Sequence, residues 1–85
     1  MSTVPGTPTV TVRFWAAARE AAGTETERHA GRTLGGVLDA AVDAHPALAT
    51  VVKASTVLLE GRSAARSALL EDGSTVEVLP PFAGG

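Results

Sequence analysis

The chain has 85 residues and a net charge of −2, which suits one domain near the small end of those that fold without a covalent staple. It contains no cysteine, and this excludes a disulfide, a thiolate metal site and a thiol nucleophile. The slight acidity argues against binding to nucleic acid or to an anionic membrane surface, because both call for a basic stripe.

The N-terminal segment has none of the marks of a targeting or membrane signal. Residues 1–8 contain neither a basic stretch nor an apolar stretch, so no secretory signal is expected. No apolar run in the chain approaches the roughly 20 residues that a membrane span requires. We therefore expect residues 1–8 to be a disordered lead and the protein to be cytoplasmic.

The first third of the sequence predicts a strand, a short helix and an edge strand. Residues 10–15 alternate between two sets of side chains, and the set that includes Phe14 is predicted to face the core. Residues 16–22 are rich in alanine and precede Gly23, which favours a short helix with a left-handed stop. Residues 24–30 are polar and predict an edge strand whose core face is not evident.

The best predicted helix begins after Thr33, a suitable N-cap residue. Its apolar stripe starts at Leu34 and continues at i+3, i+4, i+7 and i+8, with His45 at i+11. Gly35 and Gly36 lie in the first turn, and each should cost about 1 kcal/mol relative to alanine. Tertiary contacts must therefore hold the start of this helix.

Beyond the main helix the pattern returns to short elements. Pro46 stops the helix, and residues 47–54 predict one further helical turn. Residues 56–60 predict a short strand that leads into a turn at Gly61 and Arg62.

The last third predicts a loose segment, a tight turn and a final strand. Residues 63–70 form the loose segment, in which Leu69 and Leu70 are available to fill the core. The Asp-Gly pair at 72–73 predicts a tight turn, and residues 74–79 alternate as a strand. The side chains of this strand that are predicted to face the core are Val76 and Val78.

This order of elements predicts an α+β fold of the β-grasp type, in which a small mixed sheet carries one main helix across one face. The domain is expected to span residues 9–79, with an extended tail over residues 80–85. The patterns do not determine the order of the strands within the sheet.

Inside the domain, no residue pattern predicts a catalytic or metal site. His45 suits a hydrogen-bonding role at the end of the main helix, and His29 lies on a polar strand without an evident partner. Glu25 and Glu27 are interpreted as solvated edge charges. Residues 31–36 are glycine-rich but lack the lysine of a phosphate-binding loop, so they predict a loop and a cap. We expect no bound cofactor and no metal site in the domain.

The C-terminal tail is the strongest candidate for chemistry. Gly84 and Gly85 have no side chains, so a terminal carboxylate on Gly85 can enter a narrow site of another protein. Pro80 and Pro81 favour an extended exit, and residues 80–85 span at most about 20 Å. The alternative interpretation is a frayed terminus or a linker.

A carboxylate becomes a useful electrophile only after activation, for example as a mixed anhydride with AMP. The activated glycine can then accept sulfur, which forms a thiocarboxylate, or be captured by an amine, which forms an amide. Because the chain has no cysteine, the C-terminal carbonyl of Gly85 is the one place where it can carry sulfur.

Two segments resemble the MoaD-like sulfur carriers, the small subunits of molybdopterin synthase. Residues 70–85 resemble that family's closing segment, with the sequence LEDGSTVEVLPPFAGG. Residues 10–23 resemble its first strand running into a short helix that contains Arg-Glu, with the sequence VTVRFWAAAREAAG. The family often has an acidic residue where this chain has Ser74, and Asn-Gly where it has Glu60 and Gly61. Related carriers for thiamine, cysteine and tRNA thiolation share the Gly-Gly end.

The resemblance implies a ubiquitin-like β-grasp fold of the MoaD/ThiS superfamily and a cycle with several partners. An adenylyltransferase similar to ubiquitin-activating enzymes (MoeB-like) would consume ATP to adenylate Gly85, and a sulfur donor protein would supply the sulfur. The charged carrier would then dock on the large subunit (MoaE-like) and donate sulfur to precursor Z. The catalytic groups would belong to the large subunit, so the carrier itself is not expected to be an enzyme.

A surface that contacts a partner is expected beside the tail. Strand alternation turns Trp15 away from the Phe14 face and Leu79 away from the core, so both are predicted to contact a partner together with Leu58. The alternative is that Trp15 and Leu58 cover a satellite core. Arg19 is predicted either to pair with a partner carboxylate or to be an ordinary surface residue. The tail residues in the predicted partner-binding set are Pro80, Pro81, Phe82 and Ala83.

Three functions remain as hypotheses. The first is a sulfur carrier for molybdenum cofactor synthesis or for one of the related pathways. The second is a ubiquitin-like modifier that is conjugated through Gly85 to lysines of other proteins. The third is an interaction domain in which the terminal glycines are incidental.

Overall fold

The computed structural model describes residues 6–81 of the chain. Among these residues no helix has the length and apolar character needed to cross a membrane. The elements follow in the order β1 (Thr9–Phe14), α1 (Ala17–Ala22), β2 (Thr26–Ala30), α2 (Leu34–Ala44), α3 (Leu48–Ala54), β3 (Thr56–Leu59), β4 (Arg62–Ser63) and β5 (Thr75–Leu79).

The strands form one mixed sheet in the order β2-β1-β5-β3-β4. The first and last strands, β1 and β5, are parallel neighbours at its centre. The other neighbouring strands are antiparallel. This topology confirms the predicted β-grasp fold and supplies the strand order that the sequence patterns do not determine.

One face of the sheet packs against the helices, and we call it the helix face. Its side chains come from the strand positions that alternation predicts to be buried, and full burial of such a side chain contributes about 1.5 to 3 kcal/mol. The opposite surface of the sheet, which no helix covers among the described residues, is called the open face. The largest fully buried side chains are Leu34, Leu48, Val10, Val12, Val37, Val76 and Val78.

The start of α2 is held by hydrogen bonds from two sources. The hydroxyl of Thr33 accepts a hydrogen bond from the backbone N–H of Gly36 at 3.1 Å, which confirms the predicted N-cap. The next two free donors bond to the segment before β5, with the N–H of Leu34 donating to the carbonyl of Ala68 at 2.9 Å. The N–H of Gly35 donates to a neighbouring carbonyl in the same segment at 2.8 Å. These bonds explain how a helix with two glycines in its first turn is stabilised.

Gly31, between β2 and α2, lies where the backbone approaches α2 closely. A Cβ atom at this position would lie 2.7 Å from Cγ2 and 3.1 Å from the backbone nitrogen of Val37. We expect Gly31→Ala to lower the free energy of unfolding by about 1 to 3 kcal/mol, because the start of α2 must shift to admit the methyl group. Urea unfolding measures this change.

The matched control is Gly36→Ala, on the exposed side of α2. The nearest atom to its added Cβ is the Thr33 hydroxyl oxygen at 3.3 Å, and alanine recovers up to about 1 kcal/mol of helix propensity. If Gly31→Ala proved as stable as Gly36→Ala, the close approach at Gly31 would be unimportant.

The short helices differ from the predicted bounds for local reasons. Helix α1 begins one residue later than predicted because Ala16 has a φ of 49°. Helix α3 is a full helix of 7 residues and not a single turn, because the buried side chain of Leu48 anchors its start to the core. Helix α2 ends at Ala44, and His45 caps it with a backbone N–H that donates to the carbonyl of Ala41.

The hairpin between β3 and β4 corrects the predicted turn. Its two turn residues are Glu60 and Gly61, with φ values of 50° and 79°, and two successive positive values are typical of a two-residue type I′ turn. Arg62, predicted to lie in the turn, pairs with Leu59 in strand β4. The carboxylate of Glu60 also accepts a hydrogen bond from the backbone N–H of Thr75 at 2.6 Å, which ties the turn to β5.

The segment before β5 contributes one leucine to the core and not two. Leu70 is buried, whereas the side chain of Leu69 is 78% exposed. Leu69 forms an isolated β-bridge with Thr33, and neighbouring residues of an extended segment point in opposite directions. The prediction that Leu69 fills the core is therefore wrong. The turn predicted at 72–73 is confirmed, since Gly73 has a φ of 86°.

The N-terminal boundary lies near the predicted position. The carbonyl of Pro8, in the predicted lead, accepts a hydrogen bond from the backbone N–H of Gly31 at 2.9 Å. Residues 1–5 lie outside the described residues.

Candidate docking face at the root of the tail

The chain leaves the sheet at the end of β5, between two strands that hold it. On one side, the backbone N–H of Trp15 donates to the carbonyl of Val78 at 3.1 Å. On the other side, Leu79 pairs with Thr56 of β3. The root of the tail is therefore held within the sheet on both sides.

The first tail residues have different environments. Pro80 is buried, whereas Pro81 is exposed. The partner contact predicted for Pro80 stays a prediction, and its ring is buried within this chain. The predicted site residues Phe82, Ala83, Gly84 and Gly85 lie outside the described residues.

Trp15 is held on the open face by two contacts. Its indole Nε1–H donates to a carboxylate oxygen of Glu77 at 3.1 Å, and the guanidinium of Arg13 lies 4.8 Å from the ring centroid. The side chain remains 41% exposed. An aromatic ring that is oriented in advance but still accessible loses little conformational entropy when a partner covers it.

The open face brings the predicted partner-facing residues into one region. Leu58 pairs directly across from Glu77, and Leu79 follows two residues later on the same strand and the same face. Both leucines are half-buried. Trp15, Leu58 and Leu79 thus surround Glu77, and together these four residues form what we call the docking face. The prediction that Leu58 joins the other two is consistent with this placement.

Sequence analysis did not single out Arg13 or Glu77. The signal was present, because alternation puts Arg13 on the same side as Trp15 and Glu77 on the same side as Leu79. The contact between the two strands became visible only with the parallel register that pairs Arg13 with Glu77.

A small cavity of about 100 Å³ lies beside Trp15. Its wall includes Arg19 and Glu25, whose side chains form an ion pair at 3.5 Å and are largely exposed. Such a pair contributes little to stability. Arg19 thus has a carboxylate neighbour within its own chain.

The most connected polar cluster lies on the helix face, away from the tail. Glu27 and His29 point from β2 towards the end of α2, because they pair with the buried residues Val12 and Val10 of β1. One carboxylate oxygen of Glu27 bonds to Nε2 of His29 at 2.8 Å, and the other bonds to Nε2 of His45. This corrects the interpretations of Glu27 as a solvated charge and of His29 as a residue without a partner.

Burial and hydrogen bonding act on Glu27 in opposite directions. Burial alone would raise the pKa of this carboxyl group, but the hydrogen bonds from His45 and His29, with the positive charge of the imidazoles when protonated, more than offset it. The pKa of Glu27 is therefore lowered from its ordinary value of 4.5. The cluster ties the edge strand β2 to α2.

A carboxyl group whose pKa is lower in the folded state stabilises the fold above its unfolded pKa. That stability is lost as the pH falls through the folded pKa. We expect Glu27→Gln to be less stable than the parent chain at neutral pH by about 1 to 2 kcal/mol, since the amide can accept only one of the two hydrogen bonds. The difference should shrink as the pH falls below 4.5.

Urea unfolding of both chains between neutral and acidic pH measures this convergence. Glu25→Gln is the matched control, because Glu25 is an exposed neighbour in the same segment and should change stability little at any pH. A Glu27→Gln difference that grew on acidification would contradict the assigned role.

Among residues 6–81, no three His, Cys, Asp or Glu side chains are grouped so as to hold a metal ion. All buried side-chain nitrogen and oxygen atoms of this part of the chain have hydrogen-bond partners. The docking face can present an aromatic ring, two leucine side chains and the carboxylate of Glu77 to a partner.

The family of this chain is established by comparison with models of known protein families. The model of the ThiS family matches residues 12–85. The chain belongs to the ThiS family. A search of curated protein sequences gave no match.

Solved structures with the same fold include two modifiers from archaea. Small archaeal modifier protein 1 from Haloferax volcanii is 32% identical, with 91% of this chain and 99% of that chain covered and a TM-score of 0.83. The protein of the same name from Methanosarcina acetivorans is 28% identical, with 93% and 98% covered and a TM-score of 0.85.

A third similar structure is a complex of two different subunits. It is the complex of subunits 1 and 2 of the molybdopterin-converting factor from Helicobacter pylori, with 23% identity, 91% and 99% coverage and a TM-score of 0.69. At this identity the likeness shows the fold alone. Together with the family match, the two modifier structures place this ThiS family member among the ubiquitin-like proteins of the sulfur carrier or modifier class.

Proposed function

We propose that this ThiS family protein is a sulfur carrier for molybdopterin synthesis and acts as the small subunit of molybdopterin synthase. Its Gly85 carboxylate is adenylated, converted to a thiocarboxylate and used to donate sulfur to precursor Z. The observation that carries this proposal is the family match, which extends through Gly84 and Gly85. The resemblance of residues 10–23 and 70–85 to the MoaD-like carriers favours the molybdopterin branch.

The geometry of the tail root supports a carrier that works by inserting its end into a partner. The tail leaves the end of the central strand β5 next to the docking face, and Pro80 is buried in the domain. A partner that binds Trp15 and its neighbours thus lies beside the point where the tail leaves the domain. Positioning of this kind lowers the entropic barrier to transfer.

The proposed cycle uses catalytic groups from other proteins. A MoeB-like adenylyltransferase consumes ATP, joins AMP to the Gly85 carboxylate and releases pyrophosphate. A sulfur donor protein then supplies sulfur as AMP leaves. The MoaE-like large subunit holds precursor Z and the groups that catalyse attack of the thiocarboxylate sulfur on precursor Z, after which the C–S bond to Gly85 is hydrolysed and the Gly85 carboxylate is regenerated. The carrier contributes its carbonyl carbon, its tail and its docking face.

The second candidate is a ubiquitin-like protein modifier. It is favoured by the 32% identity to a small archaeal modifier protein. In this case the activated Gly85 carbonyl is captured by a lysine amine of another protein, and no sulfur is retained.

Intact-mass measurement separates the two functions. The chain is incubated with the activating enzyme, ATP and a sulfur source, and the same measurement on the starting material establishes that Gly85 carries a free carboxylate. Replacement of one oxygen by sulfur at Gly85 supports the carrier. A lysine adduct formed with loss of water supports the modifier. An unchanged mass under conditions that activate a known carrier would refute both.

A further inference from the structure

The chain contains one side-chain amine. Of its 7 basic residues, 6 are arginines and the remaining one is Lys53. A guanidinium is a poor nucleophile because it stays protonated and its charge is delocalised. Apart from the α-amino group, Lys53 is therefore the one amine in this protein that can form a stable amide with an activated carboxyl group.

Lys53 lies in the last turn of α3 and is exposed. Within residues 6–81 its ammonium group makes no ion pair or hydrogen bond. The amine is therefore accessible to an incoming acyl group.

Lys53 also stands at the rim of a groove with a volume of about 430 Å³. The groove runs between helices α2 and α3 and the β3–β4 hairpin. Two of its lining residues are cationic, Lys53 and Arg66, and none is acidic. Arg66 is paired with Asp39 at 2.7 Å, so the unpaired positive charge of the groove is that of Lys53. Its apolar floor is formed by Leu34, Leu38, Val52 and Val57.

The C-terminal sequence of the protein has matching chemistry. Phe82 offers an aromatic ring suited to an apolar floor, and the small residues Ala83, Gly84 and Gly85 allow the terminal carbonyl to approach a rim amine. The carboxylate of an unactivated tail is also opposite in charge to Lys53. These features favour a second copy of the chain as the occupant of the groove.

We propose that Lys53 is the acceptor site for acylation by the Gly85 carbonyl of a second copy, whose tail docks in this groove. The inference rests on the proposed activation of Gly85. In the reaction, the unprotonated Nζ of Lys53 attacks the activated carbonyl carbon and a C–N bond forms. The bond from that carbon to the AMP phosphate oxygen breaks, AMP leaves, and the amine proton passes to solvent. Each copy then has one donor and one side-chain acceptor, so the products are unbranched and share a single linkage.

The test uses the full chain activated chemically, which makes it independent of any activating enzyme. The chain is prepared as a thioester at Gly85 and mixed with an equal amount of unactivated, ¹⁵N-labelled chain at about pH 8. We expect a product whose mass equals that of one unlabelled thioester chain and one ¹⁵N-labelled chain after loss of the thiol. Tryptic mapping should show that cleavage after Lys53 is lost and that the peptide ending in Gly85 is attached there.

If the tail docks in the groove, Lys53 should react faster than a free lysine amine does. The rate should exceed that of the same thioester with Nα-acetyl-lysine amide, at equal amine concentration, by about tenfold or more. Lys53→Arg should remove the product. Ser63→Trp, at an exposed position that lines the groove, should reduce the rate to that of the free lysine derivative while the amine stays accessible.

Three outcomes would overturn the proposal. They are acylation confined to the α-amino group, a rate equal to that of the free lysine derivative, and loss of the thiol within a monomer, which would indicate cyclisation by the chain's own tail. None of them bears on sulfur transfer, because a carrier that fails this test can still acquire a thiocarboxylate in the enzyme-dependent assay.

Discussion

Deletion of Gly85 is expected to abolish sulfur transfer without changing the stability of the domain. The shortened chain still ends in a glycine carboxylate, but its carbonyl lies about 3.5 Å nearer the domain when the tail is extended. Because a misplacement of about 1 Å can cost about 100-fold in rate, we expect transfer to fall by at least about 100-fold. Single-turnover transfer and thermal unfolding measure the two quantities.

Two further variants test whether the loss of transfer comes from the position of the terminal carbonyl. Extension by one serine after Gly85 moves the carboxylate in the other direction and adds a side chain, so it should impair transfer as severely. Deletion of Gly6, an exposed glycine near the other end, shortens the chain equally and should leave transfer intact. Full activity of the extended chain would mean that the terminal carbonyl is not the reacting group.

Replacement of Trp15 by alanine is expected to weaken binding to the synthase large subunit by about 2 kcal/mol, or about 30-fold in Kd. Trp15 is 41% exposed and its ring is oriented by Arg13 and Glu77, so it can serve as an aromatic anchor. Its removal should lower the free energy of unfolding by only about 1 kcal/mol, because its contacts are made at the surface. Titration calorimetry and urea unfolding separate the two effects.

The chain offers a matched control for this substitution. Leu69 is the other large apolar side chain that is exposed among the described residues, at 78%, and it lies outside the docking face. Leu69→Ala should leave binding unchanged. Equal losses from both substitutions would show that general surface hydrophobicity drives the association and that the docking face has no special role.

Much of the fold could be predicted because strand and helix periods are local properties. The alternation around Phe14 and Val76 identified the core face of two strands, and Thr33 identified the start of α2. Strand β4 was missed because two residues are too few to establish a period. The sequence could not show which of Leu69 and Leu70 is buried, since both are leucines. Only their pairing with distant segments orients the two side chains.

The polar contacts were less predictable than the core. Glu27, His29 and His45 look like separate surface residues in the sequence, and they meet because β2 pairs with β1 beneath the end of α2. Trp15 and Glu77 are likewise far apart in the chain and meet through the parallel register of β1 and β5. Such contacts have no local signature, because they depend on which strands become neighbours.

The sequence by itself determined the chemistry that this protein can offer: a pair of glycines at 84 and 85, one side-chain amine at Lys53 and no thiol. These are properties of composition and order, and folding does not alter them. The tertiary structure alone decided how that chemistry is presented. It surrounded Glu77 with Trp15, Leu58 and Leu79 beside the root of the tail, and it set Lys53 on the rim of a groove, because these arrangements arise from pairing between residues that are distant in the chain.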